Sequence, residues 1–71
     1  EESVRHHRRA AELAPKDATV LNDLGYCLVE AGQLQEAEST LLRAVELDPE
    51  DALARGNLEY CRRLMEEAES R

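Results

Sequence analysis

The sequence predicts an all-α protein: about four helices folded as antiparallel hairpins. Three observations lead there. Apolar residues recur at helical spacing in four separate stretches. The breaks between them fall at Pro15, Gly32 and Pro49, residues that end helices. Eleven residues recur 34 positions further on: Glu2/Glu36, Arg9/Arg43, Ala10/Ala44, Glu12/Glu46, Leu13/Leu47, Pro15/Pro49, Asp17/Asp51, Ala18/Ala52, Leu24/Leu58, Tyr26/Tyr60 and Cys27/Cys61. They cluster at a helix end, the proline turn, the next cap and one helix face. That period and clustering mark a stacked helical repeat.

The first helix is expected over residues 1–14. Val4, His7, Ala10, Ala11 and Ala14 make its inner stripe, with Leu13 beside them, and Pro15 ends it because its ring disfavours the α region at Ala14. Asp17 is placed to cap a second helix at 18–31, whose stripe is Leu21, Leu24, Cys27, Leu28 and Ala31. Gly25 lies mid-helix, where glycine costs about 1 kcal/mol against alanine. A close helix approach would account for it, with Ala37 as the expected neighbour. Gly32 supplies a left-handed turn. The third helix spans 34–47, with Leu34, Ala37, Leu41, Ala44, Val45 and Leu47 inward. Asp51 caps a fourth at 52–69, whose apolar residues are Leu53, Leu58, Cys61, Leu64, Met65 and Ala68.

Seventy-one residues suffice for one small domain, and burial at that size depends on close helix packing. Apolar residues make up 42% and charged residues 35%, with no Phe or Trp, so the core must be Leu and Ala. No apolar run is long enough to span a bilayer. Net charge is −7. Residues 1–16 carry Arg5, Arg8, Arg9 and Lys16 against Glu1, Glu2 and Glu12, a balance of +1, which leaves −8 on the rest. An acidic body repels phosphate and argues against nucleic-acid binding. Glu1-Glu2-Ser3-Val4 has neither a Met nor signal-peptide character, which reads as a segment of a longer protein.

Residues 18–51 resemble one complete tetratricopeptide repeat. The family pattern W-x2-L-G-x2-Y, A-x3-F, P stands here as Leu21-x2-Leu24-Gly25-x2-Leu28, Ala37-x3-Leu41 and Pro49, with Leu at the three aromatic positions. Residues 1–17 resemble the second helix of a preceding repeat, and 52–71 the first helix of a following one. The resemblance implies a short right-handed solenoid. In the last helix, Leu21, Gly25, Leu28 and Gly32 are replaced by Arg55, Glu59, Arg62 and Glu66, while Leu24, Tyr26 and Cys27 are kept as Leu58, Tyr60 and Cys61. One polar side and one apolar side suit a capping helix that closes an array. The opposite edge is bare: either more repeats precede it or another chain covers it, so a homodimer through the N-terminal edge is an expectation.

By the same resemblance, the first helices of repeats line a concave groove for a protein or peptide partner. The groove residues are then Thr19, Asn22, Asp23, Tyr26 and Glu30, facing Leu53, Asn57, Tyr60 and Leu64, with Arg63 at the margin. Tyrosines offer apolar contact and a hydroxyl, and Asn22 and Asn57 can hydrogen-bond a peptide backbone. The alternative is that both tyrosines merely pack on the helix surface. The clamp of Lys, Asn and Arg by which some members hold chaperone C-termini is not matched, since Asp23 and Glu30 put negative charge where it needs positive. The expected function is a non-catalytic interaction module at the C-terminal end of a cytoplasmic scaffold. Its rivals are a structural or self-associating segment without a peptide ligand, and a regulatory appendage of an upstream enzyme domain.

Other features carry less. Arg5-His6-His7-Arg8-Arg9 reads as a solvated face or as a seam with a missing upstream helix; a nuclear-localisation or phosphate-binding patch is the alternative, though the cluster is short and Glu1, Glu2 and Glu12 dilute it. Adjacent helical histidines diverge by about 100° and chelate poorly. Cys27 and Cys61 sit at equivalent positions on successive helices, about 9–10 Å apart by normal packing and too far for a disulfide. They read as small space-filling thiols in a reducing compartment. No catalytic constellation, metal-ligand set or cofactor motif is readable, so neither a cofactor nor an enzymatic activity is expected.

Overall fold

A computed structural model describes residues 2–70. Glu1 and Arg71, which the expected first and last elements include, lie outside the described residues. The described chain forms four α-helices and no strand: α1 Glu2–Leu13, α2 Ala18–Glu30, α3 Leu34–Leu47 and α4 Ala52–Glu69. Neighbours in sequence pack on one another, α1 on α2, α2 on α3 and α3 on α4, and α2 also touches α4. The all-α helical repeat expected from the sequence is the observed fold.

Each boundary has a local cause. The Asp17 carboxylate accepts from the backbone N–H of Thr19 at 3.0 Å and of Val20 at 3.2 Å, and Asp51 accepts from Leu53 N–H at 2.9 Å. These satisfy first-turn donors that have no partner within the helix. The two proline turns close alike: Asp17 N–H donates to Ala14 O at 3.2 Å, and Asp51 N–H to Asp48 O at 3.1 Å. Gly32 adopts φ +83°, with Gly32 N–H on Val29 O and Gln33 N–H on Leu28 O. That pair of bonds is a Schellman motif, which needs the left-handed glycine.

The core runs between the helices in two groups. Val4, Leu24, Leu28, Val29, Ala37, Leu41, Leu58 and Cys61 form the larger, and Leu21, Ala44 and Ala54 the smaller. Gly25 permits a close approach, and the atoms nearest to it are those of Leu41 where Ala37 was expected: a Cβ at residue 25 would lie 2.4 Å from Leu41 Cγ. Ala37 is fully buried one turn away and takes part in the same cluster.

The inward assignments need correction at the helix ends. Leu13 and Leu47, at equivalent positions before the prolines, are 75% and 44% exposed, and Ala68 is exposed too. Each lies in the last turn of its helix, beyond the stretch covered by its neighbours. Val29, Thr40 and Ala54 are buried instead. A single helix's periodicity does not mark these three, because each is covered by a residue of another helix.

Ion pairs tie the stack across its outside. Arg8 on α1 binds Glu36 through both carboxylate oxygens and reaches Gln33 Oε1 at 3.2 Å, joining α1 to the start of α3. Arg62 donates to Glu38 at 2.9 Å, joining α4 to α3, and Arg43 donates to Pro15 O at 2.9 Å. Arg8 thus faces α3 within the chain, while Arg5, His6 and Arg9 are exposed.

Candidate functional site

The Cα atoms occupy 37 × 29 × 14 Å. The short dimension is little more than one helix-to-helix spacing of 8–10 Å. One depression, open to solvent, lies under the Ala14–Thr19 turn against Leu47 and Asp48. Among the described residues, no group of three or more His, Cys, Asp or Glu is placed to hold a metal ion.

The face formed by α2 and α4 is different in kind. Tyr26 is 46% exposed and Tyr60 39%, and these are the two aromatic side chains of the chain. Each of two touching helices thus leaves a large ring partly in water. Asp23 and Glu30 are exposed on α2, and Thr19 is exposed a turn before them. On α4, Leu53 is 73% exposed, Asn57 and Leu64 are half-buried, and Arg63 is exposed at the margin. The Glu30 carboxylate, one turn beyond Tyr26, raises that hydroxyl above the ordinary tyrosine value. Desolvation, and more weakly Tyr60, act in the same direction.

Two of the residues expected in this face are engaged with each other. Asn57 Nδ2 donates to Asn22 Oδ1 at 2.9 Å, and Asn22 is only 9% exposed. The pair bridges α2 and α4 at the floor and fixes their relation. Comparison at 34 residues aligns Asn22 with Gly56 and misses the pair, whose separation is 35. The cross-helix bond follows from the offset of one helix along the other, which sequence equivalence does not contain.

Outside this face, the titratable groups are accounted for by structure. His7 Nδ1–H donates to Ser3 O at 2.8 Å and lies 3.5 Å from Cys27 Sγ, so the half-buried His7 fills the position where a large apolar residue would be expected. Cys61 is fully buried and donates to Leu34 O at 3.4 Å. Burial, aided by Glu38, pushes its thiol above the ordinary value, and Arg62 opposes this. Both cysteines are free. Arg8, by hydrogen bond and charge, holds the Glu36 carboxyl below the ordinary glutamate value. No helix among the described residues is long and apolar enough to cross a membrane.

A search of curated proteins and a search of solved structures gave no match. A family model described as tetratricopeptide repeat matches residues 1–59, which take in α1 to α3 and the first part of α4. That span is most of the 71 residues, and it agrees with the four-helix fold. The chain belongs to the tetratricopeptide repeat family, whose members serve as protein–protein interaction modules.

Proposed function

We propose that the chain binds a protein or peptide partner on the face between α2 and α4, with Tyr26 and Tyr60 as anchors. The observation that carries this is the pair of equivalent tyrosines, each more than a third exposed, on two helices in direct contact. Rigid aromatic side chains present large contact area at low entropic cost, and such residues dominate binding energy at interfaces. Asp23, Glu30 and Arg63 supply charge around them, and Asn22 acts through Asn57 to hold the two walls in place. Thr19, Leu53 and Leu64 complete the surface. The module has no catalytic part in this reading, works as part of a scaffold, and resides in the cytoplasm, where its two free thiols stay reduced.

A capture experiment tests this directly. Partners recovered from a lysate on the intact chain should be lost when Tyr26→Ala and Tyr60→Ala are combined. Retention of every partner by the doubly substituted chain removes the groove from consideration. The exposed outer residues Arg55, Glu59, Arg62 and Glu66 suit a helix that closes an array, so α4 acts as the cap of residues 52–71. A second reading is self-association through α1, whose outer face presents Arg5, His6 and Arg9 beside Glu2 and Glu12. Sedimentation equilibrium decides it: a strict monomer at high concentration excludes the homodimer.

A further inference from the structure

The two walls of the α2–α4 face are equivalent in the repeat but differ in chemistry. Thr19 on α2 corresponds to Leu53 on α4, Asp23 to Asn57 and Glu30 to Leu64, while the tyrosine is kept at 26 and 60. At these three positions α4 is the less polar or the less charged, whereas at the margin Val29 on α2 gives way to Arg63 on α4. Along α2, Tyr26 stands between the exposed carboxylates of Asp23, three residues before, and Glu30, four residues after. Those spacings put all three side chains on one stripe of the helix. Along α4, Leu53 is 73% exposed on the same face as Tyr60, so its apolar surface is not used in the core. Arg63, at the margin, is the cation assigned to this face, and the whole chain carries −7.

We infer that this face takes a cationic amphipathic peptide segment, its arginine or lysine side chains along α2 and its apolar side chains along α4. The inference rests on the reading of the face as a binding groove and adds the chemistry of the occupant. A guanidinium laid on the Tyr26 ring is attracted by the ring's negative face, and Glu30 one turn away and Asp23 one turn before are in reach of the same charge. On the opposite wall, Leu53 and the Tyr60 ring receive an aliphatic side chain. An acidic segment is repelled by the α2 wall, and a uniformly polar one leaves Leu53 uncovered.

The test is fluorescence polarisation with the whole chain and three labelled peptides of equal length. One carries arginine and leucine at helical spacing; in the others each arginine is replaced by citrulline or by glutamate. The arginine peptide should bind saturably, the citrulline peptide about 5-fold or more weakly, and the glutamate peptide not at all. Combining Asp23→Asn with Glu30→Gln should bring the arginine peptide down to the level of the citrulline peptide. Combining Glu46→Gln with Glu50→Gln, which removes the same charge from exposed residues outside the face, should change affinity by less than about 2-fold. All four residues are exposed, and unchanged circular dichroism establishes that the variants fold. Equal binding of the arginine and citrulline peptides overturns the cationic occupant. If Tyr26→Ala still weakens both, the groove itself stands. Equal effects of the two charge-removing pairs, or no saturable binding of the arginine peptide, also overturn the inference. A dimer that dissociates on Tyr26→Ala assigns the face to a second copy and overturns it as well.

Discussion

Gly25→Ala should destabilise the protein, although the same exchange in an open helix stabilises. In the middle of a helix, alanine is favoured over glycine by about 1 kcal/mol. At residue 25, the added Cβ would lie 2.4 Å from Leu41 Cγ and 2.5 Å from Leu41 Cδ2. Leu41 is fully buried in the main core, and Cγ is its branch point, so the whole side chain must move or α2 and α3 must separate. Inserting a methyl into a packed core costs about 1–3 kcal/mol, and a contact this short belongs to the upper part of that range. The net loss is then about 1–2 kcal/mol, a fall in Tm of roughly 4–15 °C for a domain of this size. Gly56 is the internal control: it is also mid-helix, exposed, and a Cβ there meets nothing within 4 Å. Gly56→Ala should raise Tm by roughly 4–8 °C. Thermal and urea unfolding followed by circular dichroism measure both. A rise in Tm for Gly25→Ala equal to that for Gly56→Ala would falsify the close approach of α2 and α3. Truncating Leu41 to alanine should cost less in the Gly25→Ala background than in the parent, because the two changes share one space.

The Asn22–Asn57 bridge predicts that removing one partner costs more than replacing both. Asn57→Ala leaves the buried Asn22 amide without its partner and should cost about 1–3 kcal/mol, whereas replacing both by leucine should recover most of the loss in a urea double-mutant cycle. Glu36 is a carboxyl whose folded pKa is lowered by Arg8, so its contribution is present above the ordinary glutamate pKa and disappears as pH falls through the lowered one. The Tm difference between the parent and Glu36→Gln should therefore shrink as pH falls below the ordinary glutamate value and vanish once pH is below the lowered one, and at neutral pH it should correspond to less than about 1 kcal/mol, since both side chains are some 40% exposed. Cys61 is fully buried with a raised thiol pKa, whereas Cys27 is partly exposed. Ellman's reagent should label Cys27 first in the native protein and Cys61 only on unfolding. Equal native rates would contradict the packing of α4 on α3.

The helices and their limits were legible because their causes are local. Proline at 15 and 49, aspartate caps at 17 and 51, and glycine at 32 act within a few residues of themselves, and each does in the structure what its chemistry requires. The 34-residue recurrence likewise marked the stacking, because equivalent residues meet equivalent surroundings. It also drew attention to Tyr26 and Tyr60, whose exposure on touching helices the structure supplies. What periodicity carries is the direction of a side chain around its own helix. It contains neither the angle at which two helices cross nor the shift of one along the other.

Those two quantities decided the remainder. The shift of α4 along α2 pairs Asn22 with Asn57 and withdraws Asn22 from the face it was expected to line. The approach of α2 to α3 seats Leu41 at Gly25, although Ala37 is the smaller residue and the one expected there. The divergence of the helix ends leaves Leu13 and Leu47 in water despite their hydrophobicity, while Ala54 and Thr40 are covered. The sequence by itself determined four helices, their caps and their repeat, since these depend on neighbours along the chain. Only the tertiary structure decided which side chains are covered, which polar groups satisfy one another, and hence which of the equivalent positions on α2 and α4 remain open to a partner, because burial is a property of two surfaces and not of one.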